Sequence, residues 1–324
     1  MPTNAIYVRE IGGPECLSWE PQELLQPGDG QVRIAVTAAG VNFIDVYFRS
    51  GQYPRPAPFT LGLEGAGVIE AVGPNAGDFT AGDRVAWSGV PGSYAQDVNA
   101  PVGSLVKIPD GVDLEVAAAC MLQGMTAHYL CRSTYKVQAG DTALVHAAAG
   151  GVGLLLIQML RSIGADVIGT CSTAEKEVLA KGAGAGHVIR YDECDFAERV
   201  NEITNGQKCD VVFDSVGQST FEGSLASLRP RGTLALFGQS SGAVEPFDLQ
   251  RLNQHGSLYV TRPSLAHYMA TREEFEMRAG SVLGSVAGGE LDVRIGDRFA
   301  MADAAEAHRA LEGRKTTGKV LLIS

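Results

Sequence analysis

Over residues 1–124 apolar and polar positions alternate in short runs broken by glycine and proline. QVRIAVTAAGVN, GAGVIEAVG and DRVAWSG are typical of these runs. Turn signals return roughly every ten residues, which predicts a compact β-rich domain. Over residues 125–265 the period changes. TALVHAA, DVIGTCS, HVIRY, CDVVFDSVG, GTLALFGQ and SLYVTRP read as strands at regular spacing, and between them lie helical stretches such as GLLLIQMLRSIG, apolar at i, i+3, i+4 and i+7. Strands and helices in alternation predict a doubly wound parallel sheet that takes its ligand at the carboxyl ends of its strands. Residues 266–324 give a helix at 272–288, a strand VRIGDRF, a short helix at 302–312 and a terminal strand GKVLLI. A lone terminal strand needs a sheet to pair with, so this tail is expected to return and complete the β-rich domain.

The stretch at 143–178 is a strand, a glycine turn, a helix, a second strand and a turn containing Lys176. Ala148-Ala149-Gly150-Gly151-Val152-Gly153 fills a G-x-G-x-x-G frame with alanine at its first glycine position. Gly150 lets the backbone approach a pyrophosphate, and Gly153 lets the helix lie close to the strand. The diphosphate is then expected on the first amides of the helix, favoured by the helix dipole. An NAD-binding unit places a carboxylate about 20 residues beyond the glycines to accept from the ribose 2′-hydroxyl. Here the second strand runs out into Thr170-Cys171-Ser172-Thr173, with Lys176 just beyond, so a hydroxyl and an ammonium stand where a 2′-phosphate would lie. The expected cofactor is NADPH; a merely solvated first-turn lysine is the plain alternative for Lys176.

A chain of 324 residues is comfortable for two domains, and 45% hydrophobic with 19% charged residues is typical of a globular enzyme. The net charge of -11 opposes binding to nucleic acid or to an anionic membrane. The N-terminal run MPTNAIYVREIGG shows no basic region followed by an apolar one, and no run of 18 apolar residues occurs, so neither a signal peptide nor a membrane span is supported. A cytoplasmic protein is expected. Cys16, Cys120, Cys131, Cys171, Cys194 and Cys209 are too scattered for a C-x-x-C pair. The histidines at 128, 146, 187, 255, 267 and 308 show no metal-ligand spacing, so no metal site is expected.

GVNFIDVYFRSGQYP at 40–54, LGLEGAGVIEAVG at 61–73, GDRVAW at 82–87, HAAAGGVG at 146–153, and FGQSSGAV with SLYVTRPSL within 237–265 together make the chain resemble the medium-chain dehydrogenase/reductase superfamily, and within it the zinc-independent quinone oxidoreductases. The resemblance implies an α/β architecture in which a GroES-like catalytic domain, residues 1–124 and 266–324, is interrupted by an inserted Rossmann domain, residues 125–265. It further implies an active site in the cleft between the domains and a homodimer built on the Rossmann sheet. Zinc alcohol dehydrogenases of that superfamily carry a cysteine near position 42 and a G-H-E motif where this chain has Gly62-Leu63-Glu64; Asn42 and Leu63 offer neither thiolate nor imidazole. The cysteine-rich structural zinc lobe is replaced by GVPGSYAQD. Alcohol oxidation would lose its Lewis acid, whereas reduction of an already electrophilic acceptor needs only the cofactor's hydride.

By the same resemblance Asn42, Asp45, Tyr47, Tyr53 and Arg262 line the site beside the nicotinamide. Tyr53 and Asn42 are expected to donate to an acceptor oxygen gaining charge, Tyr47 to form an aromatic wall and Arg262 to add a positive field. The plain alternatives are core packing for Tyr47, capping of the helix or pairing with Arg49 for Asp45, and bracing of the domain junction for Arg262. For the 2′-phosphate the resemblance points to Ser172 with Lys176, to Tyr191 and to Arg314. Asp214 and Ser215 to Gly217 would complete the adenosine side, and Gly238, Ser240 and Thr126 the nicotinamide side. The activity so implied is reduction of a quinone by NADPH. An NADPH-dependent enoyl or alkenal reductase and a non-catalytic nucleotide-bound sensor are the alternatives.

Overall fold

QVRIAVTAAGV folds as the strand Gln31–Val41, whose Val32, Ile34 and Val36 turn inward between less buried neighbours before the strand becomes buried throughout. Each such side chain contributes about 1.5–3 kcal/mol by leaving water. In the computed structural model, which describes residues 3–324, this strand is the hub of a seven-stranded sheet. It pairs antiparallel with Glu64–Val72, with Asp97–Pro101 and with the terminal strand Lys319–Ile323. The tail therefore does return: Val320 lies opposite Val41 and Ile323 opposite Ala38. Ile295–Ala300 closes one edge, parallel to the terminal strand, and Arg84–Ser88 followed by Leu105–Lys107 extends the other. A small second sheet is built from Thr3–Val8, Leu17–Gln22 and Phe59–Thr60. Ile6, Ile34, Val85, Trp87, Leu105 and Leu322 belong to one continuous core.

That core belongs to one of two compact units, which joins the chain up to Met125 with Met269–Ser324. The other is Thr126–Tyr268. Its strands are short, nearly continuous apolar runs, as expected where both faces of a parallel sheet are covered. The spatial order is His187–Arg190, Asp166–Cys171, Thr142–Val145, Cys209–Asp214, Leu228–Leu236, Tyr259–Thr261, and every pairing is parallel. The order reverses at Thr142–Val145, which has the second strand on one flank and the fourth on the other. This is the Rossmann arrangement, and a switch point of this kind opens a crevice for a ligand at the strands' carboxyl ends. No helix among the described residues is long and apolar enough to cross a membrane.

Candidate functional site

The glycine turn leaves the first parallel strand at the switch point. Ala147 takes the left-handed conformation there, with φ 50°, and Gly150 caps the helix Gly151–Ile163. Gly153 has no room for a side chain: a Cβ would run into the carbonyl oxygen of Ala147 and lie 2.9 Å from the carbonyl carbon of Ala148. A Cβ on Gly150 would stand 3.1 Å from the Ala147 oxygen. Alanine is tolerated at position 148 because its neighbour on the second strand is Gly169, where a Cβ would come within 2.8 Å of the Ala148 methyl. The first turn, with Gly151, Val152 and Gly153, carries no acidic residue, so the free amides and the dipole are left open to an anion.

Two further turns stand beside this one. The second strand, Asp166–Cys171, leads through Ser172 to Thr173, whose hydroxyl oxygen accepts the Lys176 N–H at 3.3 Å and so caps the helix Ala174–Ala183. The Tyr191 N–H donates to the Cys171 carbonyl at 3.1 Å, which puts Tyr191, itself 43% exposed, alongside the Ser172 turn. Burial pushes the Cys171 thiol pKa up, so this cysteine sits beside the turn as a protonated thiol. After the fourth strand the buried Asp214 accepts the N–H groups of Val216 (2.7 Å) and Gly217 (3.0 Å) and the Thr220 hydroxyl (2.8 Å). The N–H of Gly238 reaches the Asp214 carbonyl, that of Ser240 reaches the Ser215 carbonyl, and a Cβ on Gly238 would collide with Ser215. Ala148, Gly150, Gly151, Val152, Gly153, Ser172, Lys176, Tyr191, Ser215, Gly238 and Ser240 are thus gathered at one end of one sheet. Thr126, buried in the helix Leu114–Tyr129, begins the same unit. The backbone approach that a pyrophosphate needs is present, and the closeness at Gly153 and Gly238 leaves no space for larger residues, with Gly150 only slightly less crowded.

In the other unit, Asn42 precedes the helix Phe43–Arg49, and Asp45 in its first turn accepts the Asn42 N–H at 2.9 Å. Tyr47 and Tyr53 come together, with ring centroids 5.2 Å apart, and the Tyr53 N–H donates to the Tyr47 carbonyl. Phe48 meets Tyr53 edge-on at 5.8 Å. Tyr47 is buried and Tyr53 half-buried.

The structure corrects the expectation for Asn42. Its side chain is not free to donate to an acceptor: the two amide hydrogens go to Glu64 Oε2 (2.8 Å) and to the Gly40 carbonyl (3.2 Å), and Lys319 Nζ donates to its oxygen at 2.8 Å. The reason is Glu64 and Lys319, an ion pair with both side chains out of water, which demands a full set of hydrogen bonds. Glu64 Oε1 takes the Leu122 N–H at 2.6 Å. Pairing of Asp45 with Arg49 is overturned too, since Arg49 makes a bidentate contact with Glu312 at 2.8 and 2.9 Å. Asp45 caps the helix and accepts the Tyr94 hydroxyl at 2.9 Å, while its Oδ1 is buried without a partner. Burial raises the Asp45 carboxyl to about 7, against the pull of Asn42, Tyr94 and Lys319. Arg49 Nη1 can only donate to His308 Nδ1 (3.3 Å), so the imidazole hydrogen is on Nε2 and faces the Tyr94 oxygen at 3.4 Å. Burial, and Arg49 beside it, lower the His308 pKa to about 3.

Glu64, Lys319, Tyr94 and His308 were not legible as a set, although a glutamate inside LGLEGAG and a lysine opening KVLLI are each conspicuous in apolar runs. Arg262 follows the edge strand Tyr259–Thr261, and Arg314, at φ 54°, sits in the turn before the terminal strand; both are exposed and lie in different units. Among the described residues no group of three or more His, Cys, Asp or Glu side chains could hold a metal ion.

Residues 28–110 match the alcohol dehydrogenase GroES-like domain family, and residues 151–277 match the zinc-binding dehydrogenase family. The chain is 47% identical to a quinone oxidoreductase of Pseudomonas aeruginosa over 98% of both chains. It is 43% identical to a 2-haloacrylate reductase of a Burkholderia species, again over 98% of both. Its structure superposes on that of Escherichia coli quinone oxidoreductase complexed with NADPH with a TM-score of 0.97, at 42% identity, covering 99% of this chain and 100% of that one. With the GroES-like and Rossmann units in place and relatives of this closeness over its whole length, the chain belongs to the quinone oxidoreductases of the medium-chain dehydrogenase/reductase superfamily.

Proposed function

We propose that this chain reduces quinones with NADPH. The observation that carries the reading is the end of the second parallel strand, where Ser172 and Lys176 follow a strand with no terminal carboxylate and Tyr191 is tied alongside. Similarity to the E. coli enzyme solved with NADPH supports the same cofactor. Ser172 and Lys176 would hold the 2′-phosphate, with Tyr191 completing its surroundings. The amides of Gly151, Val152 and Gly153 would receive the diphosphate, and Ser215, Gly238, Ser240 and Thr126 would border the rest of the dinucleotide. When bound, the reduced cofactor supplies a hydride to an electron-poor acceptor. On the acceptor side Tyr53 would donate a hydrogen bond to the oxygen that gains charge, and Tyr47 would give a flat aromatic wall. Asn42 and Asp45 act one step back, fixing the start of the helix that carries Tyr47.

Reduction of an activated C=C bond is the second reading, favoured by the similarity to 2-haloacrylate reductase. We infer a cytoplasmic homodimer formed through the edge strand Tyr259–Thr261, a reading supported by its open edge, where Tyr259 is 64% and Val260 38% exposed. An acceptor panel followed at the NADPH absorbance tests the function, with benzoquinone, menadione, 2-chloroacrylate and an alkenal offered in parallel. Turnover dominated by the quinones is expected; turnover of the acrylate or alkenal alone would transfer the assignment to the second reading. Oxidation of NADPH with none of them would leave a nucleotide-bound sensor.

A further inference from the structure

We propose that His146 is a positioning residue for the dinucleotide, holding the turn after the second parallel strand and the turn after the fourth at a fixed separation so that the adenosine half is gripped from both sides. The inference rests on the reading above, that these turns bind NADPH. His146 follows the central strand Thr142–Val145 and is fully buried. Its ring spans the switch point: Nδ1 lies 2.9 Å from the Thr170 hydroxyl on the second strand, and Nε2 lies 3.0 Å from the Ser224 hydroxyl. Ser224 donates onward to Asp214 Oδ2 at 2.8 Å, at the end of the fourth strand.

The single proton of the Ser224 hydroxyl goes to a carboxylate, so Ser224 must accept from His146. The imidazole therefore carries its hydrogen on Nε2 and accepts the Thr170 hydroxyl at Nδ1. One neutral ring, donor on one edge and acceptor on the other, joins three strand ends. Burial lowers its pKa, although Asp214 pulls the other way. Backbone bonds run along the same line, from His146 N–H to the Phe213 carbonyl and from Ala148 N–H to the Thr170 carbonyl. Phe196 packs edge-on against the ring at 4.9 Å. Thr170 stands two residues before Ser172, and Asp214 gathers Val216, Gly217 and Thr220, so both arms of the relay end on cofactor turns. Core packing alone asks for no such pairing; leucine would fill the space but take the acceptor from the Thr170 hydroxyl and the donor from Ser224, leaving Ser224 tied to Asp214 alone and the two turns unlinked.

The test is steady-state kinetics with a neutral quinone, together with the Kd of adenosine 2′,5′-bisphosphate, a probe of the adenosine half. In His146→Leu the KM for NADPH and the Kd of the bisphosphate are expected to rise together by about 10-fold or more, the scale of the two hydrogen bonds that tie the turns together. kcat should stay within about two-fold, because the nicotinamide end and the acceptor side are untouched. His146→Gln, which keeps a donor and an acceptor at its tip, should recover most of the loss. Thr170→Val and Ser224→Ala cut one arm each and should move the same two constants in the same direction, which keeps the test open if His146→Leu does not fold. An unchanged KM, a fall in kcat without a rise in KM, or a glutamine variant no better than leucine would overturn the proposal. A wild-type protein that turns over NADH and quinone but ignores both NADPH and the bisphosphate would instead refute the cofactor reading on which it rests.

Discussion

At the residue scale, buried polar groups carry the clearest consequences. Asp45 keeps its proton up to about pH 7 in the folded protein, whereas in the unfolded chain it loses it near the ordinary value of about 4. The native state therefore binds more protons between those limits, and this group's stabilising effect, full below about pH 4, is lost as pH rises to about 7. Asp45→Asn can still accept from Asn42 and Tyr94 through its oxygen. Urea unfolding at pH 5 and pH 8 should show the slope reduced and the variant more stable than wild type at pH 8 by at least about 1 kcal/mol. An unaltered slope would show that Asp45 is ionised throughout. Gly169→Ala should cost about 1–3 kcal/mol by overpacking against Ala148, and Ala148→Gly in the same chain should return much of it, read from the same denaturant curves. The glycines of the turn were legible in sequence because their spacing is local. The Asn42 network was not, since Glu64 and Lys319 are 255 residues apart and neither position names its partner.

At the scale of elements, the alternation in QVRIAVTAAGV gave the central strand of the first unit, and the apolar run KVLLI gave the terminal strand together with its need of a neighbour. Which neighbour is a matter of register, fixed by the buried faces of both strands and by Lys319 reaching Glu64. That strand enters the sheet with a buried charge at its first residue. Lys319→Met should therefore cost about 3–5 kcal/mol by leaving Glu64 buried and unpaired. Adding Glu64→Gln should recover part of this loss, and a double-mutant cycle in urea would expose the coupling. Equal and additive losses would mean that the pair is independent. The helix Phe43–Arg49 shows the limit of pattern reading in another way: its residues were picked out as a site, but their division between Tyr47 and Tyr53 on one hand and the capping pair on the other depends on side-chain partners.

At the scale of the whole molecule, βα alternation gave the doubly wound parallel sheet, whereas its strand order and switch point come from the pairings and were not legible in the sequence. The assembly is a separate matter. If the edge strand Tyr259–Thr261 is the dimer contact, Val260→Arg should shift the protein to monomer in analytical ultracentrifugation, with the parallel sheet intact by circular dichroism. A dimer that persists would place the interface elsewhere.

The central claim is that the second-strand turn selects a phosphorylated dinucleotide. Its most direct test is the ratio of kcat/KM for NADPH to that for NADH, measured with one neutral quinone in wild type and in Lys176→Ala. The account predicts a strong preference for NADPH that falls by roughly 10- to 100-fold in the variant, the size expected for one or two charge-assisted hydrogen bonds, with NADH turnover almost unchanged. A wild type that favours NADH, or a preference that survives loss of Lys176 intact, would contradict it.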